Sequence, residues 1–82
     1  MGITVYTKPS CVQCTATYRA LDKAGLTYTV IDLTTDDQAL QHVKDLGHQS
    51  APVVEAHGFS WSGFQPDQIK DLSARVHGSP RT

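Results

Sequence analysis

Ile3-Thr4-Val5-Tyr6-Thr7-Lys8-Pro9-Ser10-Cys11-Val12-Gln13-Cys14 is the stretch on which the fold turns. Residues 3–6 are β-branched or aromatic, which favours a strand. Lys8-Pro9-Ser10 breaks that strand into a loop. The cysteine pair follows, and from about residue 13 to 24 Cys14, Thr17, Tyr18, Leu21 and Ala24 recur at i, i+3, i+4, i+7 and i+10. That is the period of a helix with one buried face, and Gly25 stands where a C-terminal cap belongs.

Working outward, residues 28–33 (Tyr-Thr-Val-Ile-Asp-Leu) form a second strand. Thr35 and Gln38 have the spacing of a capping box, opening a helix with Ala39, Leu40, Val43 and Leu46 inward and Gly47 at its end. Ala51-Pro52 precedes Val53-Val54-Glu55. His57-Gly58 then makes a turn and Phe59-Ser60-Trp61 answers as the second arm of a β-hairpin. Pro66 suits the first turn of a last helix, with Asp67 beside it and Ile69, Leu72 and Val76 on the apolar face. The predicted order is β-α-β-α-β-β-α. Its first β-α-β is a parallel pair with a right-handed crossover, and the hairpin adds antiparallel strands. The result resembles the minimal thioredoxin fold, an α/β protein whose four-stranded mixed sheet is flanked by three helices. Residues 1–77 make one domain and 78–82 a flexible tail. The cysteines then fall at the carboxyl end of the first strand, where open α/β sheets place their reaction sites.

Composition narrows the function class. With 82 residues, seven Lys and Arg against eight Asp and Glu, and a formal net charge of −1, the chain lacks the basic surplus of a nucleic-acid binder. No apolar run approaches the roughly 20 residues that cross a bilayer. Met1-Gly2 leads straight into strand residues, so no signal peptide is expected, and Tyr6 stands where a myristoylation motif wants Ser or Thr, so no lipid attachment is expected. The expected address is the cytoplasm, where thiols are kept reduced. The absence of a heptad or a long apolar edge points to a monomer.

In that compartment a Cys-x-x-Cys pair is a redox centre or half of a metal site. As a staple it achieves little, because so short a loop restricts the unfolded chain least. Cys11 should sit at the helix N-terminus, where free N–H groups and the dipole favour an anion. The nucleophile in disulfide exchange is the thiolate, and bringing a thiol from about 8.5 to about 7 takes roughly 2 kcal/mol. Lys8 adds positive potential nearby. Cys14 lies one turn inward, within bonding reach of Cys11 and shielded from substrate. On this reading Cys11 attacks and Cys14 resolves. The competing reading is metal. Structural zinc needs four ligands, and the histidines (His42, His48, His57, His77) stand far outside the spacing of a Cys₂His₂ site. An iron–sulfur cluster shared between chains stays open as a further alternative. No bound metal is expected.

Three segments then carry a resemblance along nearly the whole chain. They are Tyr6-Thr7-Lys8-Pro9-Ser10-Cys11-Val12-Gln13-Cys14, Ser50-Ala51-Pro52-Val53-Val54 and Trp61-Ser62-Gly63-Phe64-Gln65-Pro66-Asp67. Together they resemble the NrdH-redoxins, glutaredoxin-like members of the thioredoxin superfamily. The resemblance implies an electron donor to the large subunit of class Ib ribonucleotide reductase, recharged by thioredoxin reductase. It implies no bound cofactor, only the redox-active Cys11–Cys14 disulfide, with NADPH and FAD used indirectly through the reductase. Ala51-Pro52 matches the superfamily's cis-proline loop, which offers backbone groups to an extended substrate. Lys8, Pro9, Val12, Gln13, Ala51, Pro52, Trp61, Ser62, Gly63 and Phe64 are the implied supporting and substrate-binding residues.

Glutaredoxins follow the hairpin with Gly-Gly and an acidic pair that holds glutathione. Residues 61–66 lack that pair and present aromatics, so weak glutathione binding is expected. A glutathione-dependent glutaredoxin is the alternative within the redox class. Trp61 and Phe64 read either as core or as an exposed docking edge. The family commonly has Arg where this chain has Gln65, which removes a charge from that segment.

Overall fold

Val5 and Tyr6 are neighbours on one strand and face opposite layers, because side chains alternate across a sheet. The strand is β1 (Ile3–Thr7), and in the computed structural model it lies inside a four-stranded sheet of order β2-β1-β3-β4. The structure describes residues 3–9, 11–56 and 58–76, without the side chains of Phe59 and Val76. The expected tail of residues 78–82, the turn position His57, Ser10 and the Val76 side chain lie outside the described residues.

The elements follow the expected order. Helix α1 (Val12–Lys23) joins β1 to β2 (Thr29–Asp32), which pairs parallel to it, with Val5 opposite Val30. Helix α2 (Asp37–Asp45) leads to the hairpin of β3 (Val53–Ala56) and β4 (Phe59–Ser62). β3 runs antiparallel to β1 with Val54 opposite Val5, and β4 antiparallel to β3 with Trp61 opposite Val54. Helix α3 (Pro66–Val76) closes the chain.

One face of the sheet buries Ile3, Val5, Val54, Ala56 and Trp61 against Leu21 of α1, Leu26, and Ile69 and Leu72 of α3. The other buries Tyr6 and Val53 against Ala39 and Val43 of α2. Burying such side chains supplies about 1.5–3 kcal/mol each, and this two-sided layering is what holds β1 in register.

Each of the first two helices ends in the same way. At α1, Gly25 (φ 74°) donates to Asp22 O and Leu26 donates to Leu21 O, both at 3.0 Å. At α2, Gly47 donates to Lys44 O at 2.9 Å and His48 to Val43 O at 3.0 Å. These are the two bonds of a Schellman cap, with a residue of positive φ at its turn.

The sequence reading differs from the structure in detail at α2. The N-cap is Asp36, whose carboxylate accepts the Ala39 N–H at 2.9 Å. Thr35 is not the cap, because its hydroxyl donates to Asp32 O at 3.3 Å in the preceding turn. In that turn the Thr34 hydroxyl and N–H both bond the Asp32 carboxylate and hold its pKa below the usual value. Leu46 is not inward. It is the C-cap, 39% exposed, because the chain leaves the helix there. Strand β2 is two residues shorter than the predicted 28–33, since it is an edge strand held only by β1.

Glu55 ties the α2 layer together. Its Oε1 accepts from the Tyr6 hydroxyl at 3.0 Å and lies 2.9 Å from His42 Nε2. His42 is thus partnered while remaining exposed. Burial first, then the Glu55 bond and the charges of Glu55 and Asp36, push the Tyr6 hydroxyl up to about 12. Because the folded pKa is raised, the stabilisation is complete below pH 10 and is lost as pH climbs from 10 towards 12, where only the unfolded chain ionises. Tyr6→Phe should therefore lower stability by about 1 kcal/mol at neutral pH and flatten the alkaline fall. Urea titrations from pH 7 to 12 check this, and an unchanged alkaline slope in the variant would refute it.

Candidate active site

A helix must find partners for its first N–H groups. At the start of α1 that partner is sulfur. Cys11 is the N-cap, with extended backbone (φ −104°, ψ 107°), and its Sγ accepts the Cys14 N–H at 3.2 Å. Cys11 O accepts from Thr15, through N–H at 3.3 Å and hydroxyl at 3.4 Å. The first turn of α1 holds no acidic residue, so nothing there opposes a negative charge on Cys11.

The Cys11 and Cys14 sulfurs are paired in disulfide geometry, with Cα atoms 5.2 Å apart. Their surroundings differ. Cys11 is half-buried at the rim, whereas Cys14 is 2% exposed. Cys14, Thr17 and Leu21 form the buried line of α1, so the packing that fixes the helix also places the second sulfur inside. Thr17 satisfies its buried hydroxyl by donating to Gln13 O at 2.9 Å.

The loop after β4 is bound to two other parts of the chain. Gly63 N–H donates to Pro52 O at 2.8 Å, and Phe64 N–H donates to Gln13 Oε1 at 3.1 Å. Gln65 Nε2 donates back to Ser62 O at 3.2 Å. Gly63 has φ 81°, which disfavours a side chain, and Gln13 Oε1 lies 3.4 Å from where its Cβ would stand. The Ala51–Pro52 peptide is cis, and Pro52 is buried.

Two surface grooves are lined by residues that flank the cysteines in sequence. One, of about 810 Å³, is lined by Lys8, Leu33, Leu40, Lys44, His48 and Ala51 among others. The second, of about 530 Å³, runs along α1 between Val12, Ala16, Arg19, Lys23 and Phe64. Lys8 lines the first and Val12 the second.

The expected site residues are thereby divided. Cys11 bonds to Cys14, Gln13 to Phe64 and Pro52 to Gly63, Ser62 accepts from Gln65, and Val12 shares a groove with Phe64. Lys8 and Ala51 line the other groove, and Pro9 is exposed in the loop. Trp61 is 5% exposed and packs in the core, while Phe64 is 40% exposed, so the aromatic pair splits between the two readings. Sequence reasoning missed the Gln13–Phe64 bond and the α1 groove. The groove had a signal, since residues 12, 16, 19, 20 and 23 share one helical face. Among the described residues, no three His, Cys, Asp or Glu side chains gather where they could hold a metal ion. No helix of those residues is long and apolar enough to cross a membrane.

The glutaredoxin family model matches residues 3–61. The chain belongs to the glutaredoxin family. Within it the likeness is to the NrdH proteins. The glutaredoxin-like protein NrdH of Escherichia coli (strain K12) is 39% identical over 79 residues, covering 96% of this chain and 98% of that protein. The Lactococcus lactis subsp. cremoris (strain MG1363) protein of the same description is 28% identical over 71 residues, 87% and 99% of the two chains. The solved structure of NrdH-redoxin from Escherichia coli, described as having a thioredoxin-like activity profile, matches with TM-score 0.85 and 40% identity, covering 98% of this chain and 100% of that one. This glutaredoxin-family chain has a thioredoxin fold and is a disulfide oxidoreductase.

The loop bonds give a test. Gln13→Ala should cost about 1 kcal/mol and speed hydrogen exchange of the Phe64 amide, with the Gly63 amide still protected by Pro52 O. Equal exchange at Phe64 in both proteins would show that Gln13 does not hold the loop.

Proposed function

We propose that this chain carries electrons from NADPH-dependent thioredoxin reductase to the large subunit of class Ib ribonucleotide reductase. The observation that carries the reading is the asymmetry of the pair: Cys11 at the rim, capping α1 through sulfur, and Cys14 buried one turn on. The NrdH likeness and the thioredoxin-like profile of the Escherichia coli protein support the choice of partners.

In the dithiol form, the helix N-terminus and the Cys14 N–H stabilise a thiolate on Cys11. That thiolate attacks one sulfur of the partner's disulfide. The S–S bond breaks, the far sulfur leaves as thiolate, and Cys11 becomes the near sulfur's partner in a mixed disulfide. Cys14 then loses its proton and attacks Cys11 Sγ, releasing the near sulfur. The partner has gained two electrons, and Cys11–Cys14 is the new disulfide. Reduction by the reductase returns two electrons and two protons.

The supporting residues have distinct tasks in this cycle. Lys8 adds positive potential on one side of Cys11, and Pro9 ends the strand ahead of the loop. Ala51 offers backbone beside the larger groove, Pro52 holds that turn to the loop through its carbonyl bond with Gly63, and Val12 and Phe64 offer an apolar edge at the second groove. Gln13, Ser62 and Gly63 position that edge, while Trp61 supports it from the core. The protein works as a monomer in the cytoplasm with no resident cofactor; NADPH and FAD act through the reductase. The missing acidic pair in residues 61–66 argues against glutathione as the electron source.

Cys11→Ser should abolish disulfide reduction, and Cys14→Ser should retain the first step and accumulate mixed disulfides with partner proteins. A Cys14→Ser variant that releases partners as readily as the parent would overturn the assigned roles. In a coupled assay following NADPH, turnover is expected with thioredoxin reductase and not with glutathione plus glutathione reductase. The opposite pattern would make the chain a glutathione-dependent enzyme.

A further inference from the structure

Val12, Ala16, Arg19, Ala20 and Lys23 stand at i, i+4, i+7, i+8 and i+11 of α1 and form one outward stripe. Phe64 closes its N-terminal end, held there by the bond to Gln13. The stripe is polar in one sense only. Beside Cys11 it is apolar, with Val12 84% exposed. At the far end, about 16 Å along the helix axis, it is cationic.

No ion pair among the described residues ties up that end. The groove is lined by no carboxylate, and among the described residues neither Arg19 nor Lys23 forms a salt bridge. Asp22, three residues from Arg19, accepts instead from the Tyr28 hydroxyl at 3.0 Å. Like charges at i and i+4 repel by a few tenths of a kcal/mol. An anionic surface laid on the stripe relieves that repulsion. The side of a helix has no free backbone groups, so recognition there runs through side chains, which suits the face of a folded protein rather than an extended strand.

We infer that the α1 stripe docks a folded partner protein with an acidic contact face. The partner sets an apolar side chain against Val12, Ala16 and Phe64 and carboxylates against Arg19 and Lys23, while its sulfur meets Cys11. The inference rests on the proposed exchange at Cys11 and adds the chemistry of the partner. The whole chain is slightly negative, so the attraction is local to this stripe.

The test uses two peptide disulfides, identical except for glutamates or lysines in a helical segment beside the cystine. Their reduction by the dithiol protein is followed at low ionic strength and at about 1 M salt, where the Debye length falls to about 3 Å. The parent protein should reduce the acidic peptide about ten-fold faster than the basic one at low salt, and the two rates should converge at high salt. Arg19→Glu/Lys23→Glu should reverse the preference, and Arg19→Ala/Lys23→Ala should shrink it. Variants that keep the parent's ratio overturn the inference and leave the redox reading standing, as does a parent protein that reduces both peptides equally. A parent protein that reduces neither peptide overturns the redox reading and this inference with it.

Discussion

The first turn of α1 begins with N–H groups that have no helical partner, and the sulfur of Cys11 meets one of them. Serine or aspartate would cap the helix as well, so capping alone does not explain a cysteine there. What does is the second sulfur one turn on. Because α1 buries Cys14, Thr17 and Leu21 on a single face, the helix cannot pack against the sheet without drawing the Cys14 sulfur inward. The cap, the packing face and the division between an exposed and a hidden sulfur are thus one arrangement. Loss of the Leu21 and Leu72 packing would disturb the chemistry without touching either cysteine.

The loop of residues 62–65 depends on the same start of α1. Consecutive amides go to different owners: Gly63 to the backbone of Pro52, Phe64 to the side chain of Gln13. A residue between the two cysteines therefore fixes an aromatic that is distant in sequence, and the loop links the cysteine motif to the Ala51–Pro52 turn. The positive φ of Gly63 lets the two amides point to these separate acceptors.

Much of this was legible in the sequence because the signals are local. The period of residues 14, 17, 18 and 21, the turn after Ala56 and the glycines ending α1 and α2 each act within a few residues, and the fold follows from their order. The cysteine pair was legible for the same reason. At residue 36 legibility failed by one position, since Thr35 and Asp36 are both good caps and only the preceding turn, which occupies Thr35, selects the aspartate. Bonds that span the chain left no local trace: Gln13 to Phe64, Tyr6 to Glu55, His48 Nε2 to Ser60 Oγ at 2.8 Å. Each joins groups whose proximity exists only after the sheet has formed. The outward face of α1 was readable as a stripe, but a helix's solvated side ordinarily carries charge. Only the groove against Phe64 distinguishes it.

The two helical layers also differ in what they leave free. Helix α2 is tied to the hairpin by His42 to Glu55, and the turn that follows it by His48 to Ser60. Helix α1 is anchored from below by its buried line, and its outer face makes no such commitment. A surface can be given over to partners only where the fold does not need it, and α1 meets that condition beside the reacting sulfur. The same geometry limits the kinetics of the proposed cycle. With Cys14 buried, every exchange with another protein passes through Cys11, and one sulfur can belong to one mixed disulfide at a time. Donor and acceptor must therefore take turns, whichever groove each uses, and the small domain works as a shuttle rather than as a bridge between them.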